Sequence, residues 1–258
     1  MNILNLLKGI RINNKSKKID TSKLPSLGLF YPDDFEISIT KCDKDYIEEY
    51  KSILDDTNIT RILKSITRLV IDHTKYSEGY SYRNICSIDL FFIFLEIVKY
   101  TNNKEILIKH HDEEKDVYID IEFSSENFYY FKPSKKIMNR YDKDKKIFDL
   151  NGYMVSIPTI GAEEDLTDFL NSIKSESVAD KYSKYNYNFL YVLGGKNRLE
   201  IDEMENLIEI FNNDIVEEEK INLEKSIDDI LPMQKYQLNY NGNPISIAAK
   251  LDLSTIFD

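Results

Sequence analysis

Asp116, Asp120 and Glu122 lie in the run DVYIDIEF, just downstream of His110, His111 and Asp112, and these are the residues whose types and spacing could do metal chemistry. Alternate residues of an extended strand share a face. The three carboxylates could therefore converge on a divalent cation, which takes oxygen ligands, and with a histidine they would describe a metal-dependent hydrolase or nuclease. The same alternation is what any half-buried strand shows, and Lys109 and Lys115 lie beside it. Adjacent histidines on a strand point to opposite faces, so one zinc-like site cannot easily use both. The blander reading is a polar turn between two strands. His73 follows a helical pattern and reads as a helix-end histidine. The stretch LGGKNR at 193–198 lacks the spacing and the hydroxyl residue of a phosphate-binding loop and reads as a helix C-cap and turn. Neither a Gly-x-Ser-x-Gly elbow nor a catalytic cysteine signature occurs. Sequence reading assigns no catalytic, cofactor-binding or metal residue, and it favours a protein that is not an enzyme.

A different kind of chemistry, contact rather than catalysis, is suggested by TSKLPSLGLFYPDD at 21–34. Each proline fixes its own φ and biases its predecessor away from helix, so Leu24–Pro25 and Tyr31–Pro32 bracket a stiff ribbon with a possible turn at Gly28. A segment stiffened in advance loses little entropy on docking. The candidate contact residues are Leu24, Pro25, Leu29, Phe30, Tyr31 and Pro32, and the groove that receives them belongs either to this chain or to a partner. Further aromatic groups stand at Tyr80 and Tyr82, at Tyr129, Tyr130 and Phe131, and at Tyr182, Tyr185 and Tyr187. Tyrosine-rich patches are enriched at protein interfaces, although core packing is an equal reading for Tyr129 to Phe131.

Charge narrows the partner class. The net charge of −11 argues against nucleic acid, whose binding depends on Lys/Arg neutralisation of phosphates. The first 23 residues carry six basic side chains against Asp20, whereas residues 200–230 carry twelve acidic ones against Lys220 and Lys225, so arm and acidic region could dock within one chain or between copies. Only Cys42 and Cys86 are present, too few for a disulfide scaffold. The best apolar run, IDLFFIFLEIV, is interrupted by Asp89 and Glu96, which argues against a membrane span. No export signal is recognisable at the start, and the tripeptides NKS and NIT match glycosylation acceptors by chance. The expectation is a chain that is cytosolic when made.

The elements that must position these residues follow from periodicity. Residues 3–12 fit a short amphipathic helix, FEISIT at 35–40 a strand, and residues 46–54 and 59–70 two helical stripes, the second capped by Thr57 or Asn58. A third helix, apolar nearly all round, starts near Ser87 as N-cap and runs to about Tyr100, as the most buried helix. Strands follow in EILIKHH and DVYIDIEF, with NFYYF as a further strand, and Asn151–Gly152 predicts a tight hairpin between two apolar runs. Helices return from Ala162, at YNFLYVL, from Ile201 and on to about Ile230, and Asn241–Gly242 predicts a last hairpin. The order points to an α+β fold, with a helical N-terminal half around a buried central helix, antiparallel hairpins and a second helical cluster. Four regions result: 1–23 as a basic arm, 24–104 with the ribbon, strand and helices, 105–160 with hairpins, and 161–258 with helices and the C-terminal hairpin, forming one or two packed domains.

The series LPSLGLFYP, FEISIT, YIEEYKSIL, NITRILKSITRLV and CSIDLFFIFLEIV, with SIPTIGAEEDLTDFL further on, resembles the baseplate protein family of T4-like contractile-tailed phages across residues 21–175. The shared pattern is a Leu-Pro-Ser-x-Gly-x-x-Tyr opening, a strand, two helices and a helix entered through an aspartate such as Asp89. The resemblance implies a structural subunit or assembly chaperone of the baseplate hub, working in the host cytoplasm or in the tail. Its partners would be other baseplate or tail proteins, or copies of itself. The runner-up is the metal-dependent hydrolase or nuclease above, and a third reading is a small regulatory binding protein of a mobile element.

Overall fold

The computed structural model describes residues 15–43, 59–112, 115–122, 128–130, 133–172, 191–192, 196–209, 217–230, 236–240 and 243–246. The helices expected over 3–12 and 46–54, the cap at 57–58, most of YNFLYVL, the group Tyr182 to Tyr187 and the turn at 241–242 lie outside the described residues.

The core is built around α2 (Leu90–Asn102), which follows α1 (Ile59–His73) in the chain and packs against it. Phe92, Ile93, Phe94, Leu95, Ile97 and Val98 are all buried, because a helix apolar on every side must be covered on every side. Its entry differs from expectation. Ser87 does not cap an α-helix; it opens a 3-10 turn, Ser87–Asp89, and its backbone N–H donates to the carbonyl of Pro158 at 2.9 Å. The exit is Asn103, left-handed at φ 52°, whose N–H donates to the carbonyl of Lys99.

The described strands form four antiparallel sheets. β1 (Lys17–Lys18), β2 (Ile37–Ile39) and β3 (Thr74–Tyr76) form one, in that order. β4 (Leu107–Asp112) pairs only with β5 (Val117–Glu122) among the described strands. β6 (Phe128–Tyr130) joins the hairpin of β10 (Tyr236–Tyr240) and β11 (Asn243–Ser246), so NFYYF does add a strand, against a partner more than 100 residues away. β7 (Tyr141–Asp142), β8 (Ile147–Leu150) and β9 (Tyr153–Val155) complete the set, preceded by a single helical turn, α3 (Lys135–Met138). The β8–β9 connection is the predicted tight turn, with Asn151 at φ 53° and Gly152 at φ 87°, the left-handed pair that matches strand twist.

Helices then return as α4 (Ile160–Ser172), α5 (Ile201–Glu209) and α6 (Glu217–Ile230). α4 starts slightly before Ala162 because Thr159 caps it, its hydroxyl accepting from the Ala162 N–H at 3.2 Å. The class is α+β, as the order of helical and hairpin regions predicts. One buried cluster spans Ile19 to Ile230, and a small satellite of Ala162, Leu166, Leu199 and Met204 sits beside it. The described lysines of the basic arm do not reach the acidic helices: Lys17 pairs with Glu96 at 2.9 Å and Lys18 with Glu36 at 2.6 Å.

Candidate functional site

The proline-bracketed segment is not an extended ribbon. It coils through successive turns, with Leu24 N–H donating to Thr21 O, Leu27 to Leu24 O, Leu29 to Ser26 O and Tyr31 to Gly28 O. Reversal at Leu27 (φ 57°) and Gly28 (φ 70°) makes this possible, and a Cβ on Gly28 would sit 3.3 Å from the Thr21 hydroxyl. Coiling turns Leu24, Pro25, Ser26, Phe30 and Tyr31 inward to full burial, leaves Leu29 half-buried against the core, and exposes Pro32. Tyr31 stacks on Phe35 at 4.5 Å between ring centroids and Phe30 packs against Phe148 at 5.9 Å. The groove that holds these side chains is the chain's own.

Asp89 is the polar anchor of that groove. Fully buried at the mouth of α2, its carboxylate accepts from the Ser26 N–H at 2.8 Å and from the Tyr31 hydroxyl at 2.6 Å, and the Tyr31 oxygen in turn accepts from the Cys86 N–H at 3.2 Å. Burial pushes the Asp89 carboxyl up to about 6 despite these hydrogen bonds, which pull the other way. Burial, with the Asp89 charge second, also pushes the Tyr31 phenol and the Cys86 thiol well up. The Cys86 sulfur is thus an unreactive core thiol.

A second node joins the halves of the chain. Arg83 donates to the carbonyls of Asn197 (3.0 Å) and Gly161 (2.9 Å) and pairs with Glu164 at 2.8 Å and Asp165 at 2.7 Å. Its planar fork suits four acceptors at once. Gly161 permits the approach: a Cβ there would lie 2.2 Å from the Asn197 oxygen and 2.8 Å from Arg83 Cβ. Thr159 donates to the Lys196 carbonyl at 2.6 Å, so the LGGKNR run ends in a loop whose backbone is read by α4 and Arg83.

The three strand carboxylates do not sit alike. Asp116 lies in the turn before β5 with φ 53°, while Asp120 and Glu122 are exposed on the strand, opposite Lys109 and Leu107. Positions 110 and 111 pair with Ile119 and Tyr118. Among the described residues no group of three His, Cys, Asp or Glu side chains is close enough to hold a metal ion. What β4–β5 does present, among exposed charged residues such as Asp120 and Glu122, is three exposed apolar side chains. Tyr118 is 77% exposed, Leu107 51% and Val117 45%, with Leu107 and Tyr118 at opposite ends of one face. No described helix is long and apolar enough to cross a membrane.

Comparison of the chain with protein families, with curated proteins and with solved structures returns no match. The functional reading therefore rests on residues and geometry. Sequence reading passed over Arg83 entirely. Asp89 stands out in the sequence both as an interruption of an apolar run and as the aspartate that enters the helix, and a carboxylate there must find buried donors.

Proposed function

We propose that this protein is a structural subunit or assembly chaperone of a contractile-tailed phage baseplate hub, acting by contacts with other tail proteins. The observation that carries the reading is the β4–β5 arm, a two-stranded hairpin with exposed Tyr118, Leu107 and Val117 and no third described strand on either edge. Such edges recruit strands from other chains, and exposed tyrosine supplies contact area at low entropic cost. The sequence pattern of the turn-rich opening, strand and helices supports the choice of assembly. The host cytoplasm is where assembly would occur, and the finished tail either retains the protein or releases it.

The test is co-purification from infected cells of the tagged chain and its Tyr118→Ser variant, followed by protein identification in lysate and in purified particles. Wild type is expected to bring down tail proteins, and the variant is expected to lose them while melting at the same temperature. Presence in particles identifies a subunit, and absence a chaperone. A wild-type chain that stays free of tail proteins throughout infection rejects the reading.

A further inference from the structure

Two anchors on α2 set the direction in which the basic arm leaves the described residues. Lys17 pairs with Glu96 at 2.9 Å, and the Lys15 carbonyl accepts from the Tyr100 hydroxyl at 2.7 Å. Glu96 and Tyr100 are about one turn apart on α2, so the chain, followed back from Lys17 to Lys15, runs toward the C-terminal end of that helix. β4 begins just beyond that end: Asn102 closes α2, Lys99 pairs with Glu105, and Leu107 opens the strand. One face of β4–β5 turns Ile119 and Ile121 to the core. The other carries exposed Leu107, Tyr118, Asp120 and Glu122, and register places Lys109 there too.

Residues 1–14, outside the described residues, complement that outer face in composition. They include Lys8 and Arg11 without an acidic residue, and Ile3, Leu6, Leu7 and Ile10 form the apolar stripe of the expected helix over 3–12. Ten helical residues are about 15 Å long. Tyr118 pairs with His111, four residues along β4 from Leu107, so the two exposed apolar side chains stand about 13 Å apart along the strand.

We propose that residues 1–14 fold back over the outer face of β4–β5 of the same chain, with the apolar stripe on Leu107 and Tyr118 and with Lys8 and Arg11 toward Asp120 and Glu122. Apolar burial supplies the attraction, and the charges fix the orientation. The occupant is the chain's own arm because a short tether holds it at an effective concentration of about millimolar, which a second copy in dilute solution does not reach. The docked arm is a cover that a partner must displace, a role that rests on the reading of β4–β5 as the contact with tail proteins.

Hydroxyl-radical footprinting of the purified full chain tests this, reading Tyr118 and Leu107 against Met154, an exposed side chain on β9 that serves as internal standard. Leu6→Asp/Leu7→Asp and Lys8→Glu/Arg11→Glu are each expected to raise oxidation of Tyr118 and Leu107 several-fold, with Met154 and the melting temperature unchanged. Adding Asp120→Lys/Glu122→Lys to the Lys8→Glu/Arg11→Glu chain is expected to restore the shielding. Tyr118 as reactive in wild type as in the arm variants, no rescue by the charge swap, or shielding that fades on dilution, which would assign the arm to a second copy, would each overturn the proposal. The measurement contains no tail protein, so it is independent of the reading above. If Tyr118 is shielded but neither wild type nor Leu6→Asp/Leu7→Asp captures tail proteins from infected cells, the contact reading fails and the docked arm stands; if capture occurs without shielding, the reverse holds.

Discussion

At the scale of single residues the Asp89 cluster governs how stability depends on pH. A carboxyl raised from 3.8 to about 6 prefers its neutral form in the folded chain, so its contribution is fully present below pH 3.8 and is lost as pH rises through 6. The difference corresponds to on the order of 3 kcal/mol of disfavoured ionisation. Urea unfolding at pH 7 and pH 5 should therefore show wild type gaining stability toward pH 5 relative to Asp89→Asn, and a difference that stays flat or has the opposite sign rejects the burial account. Two glycines make a separate comparison. A methyl group at Gly152 meets nothing within 4 Å, so Gly152→Ala is expected to cost about 1 kcal/mol, from its positive φ alone. At Gly161 the added Cβ collides with the Asn197 carbonyl and with Arg83 Cβ, and Gly161→Ala is expected to cost about 1–3 kcal/mol and to loosen the Arg83 node. Equal melting temperatures for the two variants would contradict that assignment.

At the scale of elements, legibility in the sequence followed how local the cause was. The β8–β9 hairpin was readable because Asn151–Gly152 encodes its own φ values, and α2 because no other arrangement covers a helix apolar on every side. The pairing of β6 with β10 was not readable, since two short strands far apart in sequence carry no mark of each other. The turn-rich form of residues 24–32 was missed for a similar reason: two prolines bias their neighbours toward extension, and the i to i+3 bonds that override them depend on Asp89, more than 50 residues on, to hold Ser26 and Tyr31. Arg83 belongs to this scale because it ties the 3-10 turn Tyr82–Asn84 to α4 and to the loop before α5. Its side chain is partly exposed, so solvent screens the two ion pairs, and most of its worth lies in the two carbonyls it satisfies. Arg83→Met is expected to cost about 1–3 kcal/mol, and Arg83→Lys to recover only part of it, because an ammonium cannot present the planar fork. Thermal melts of the pair check this, and full rescue by lysine would reduce the node to simple charge pairing.

At the scale of the whole molecule, segments that look separable in sequence share one core. The cluster that takes in Leu24, Phe30 and Tyr31 also takes in Leu223, Ile227 and Ile230 of α6, which is held to the β8–β9 hairpin by Ser226 donating to the Leu150 carbonyl at 3.0 Å. Loss of one contributor to this shared core is therefore felt by the others. Phe30→Ala removes a ring packed against Phe148, a class of change that costs about 3–5 kcal/mol. Tyr31→Ala removes a stacked ring and also strands the buried Asp89 carboxylate and the Cys86 N–H without their partner. Together these losses rival the roughly 5–15 kcal/mol that holds a typical domain folded. The double variant Phe30→Ala/Tyr31→Ala is therefore expected to be unfolded at room temperature, with far-UV circular dichroism and tyrosine fluorescence both reporting the loss. Each single variant is expected to melt in one transition at which the two probes coincide. A double variant that stays folded, or probes that separate in the single variants, would mean that the opening segment docks on a body already stable without it. Its apolar side chains would then be free to serve an intermolecular contact as well as an internal one.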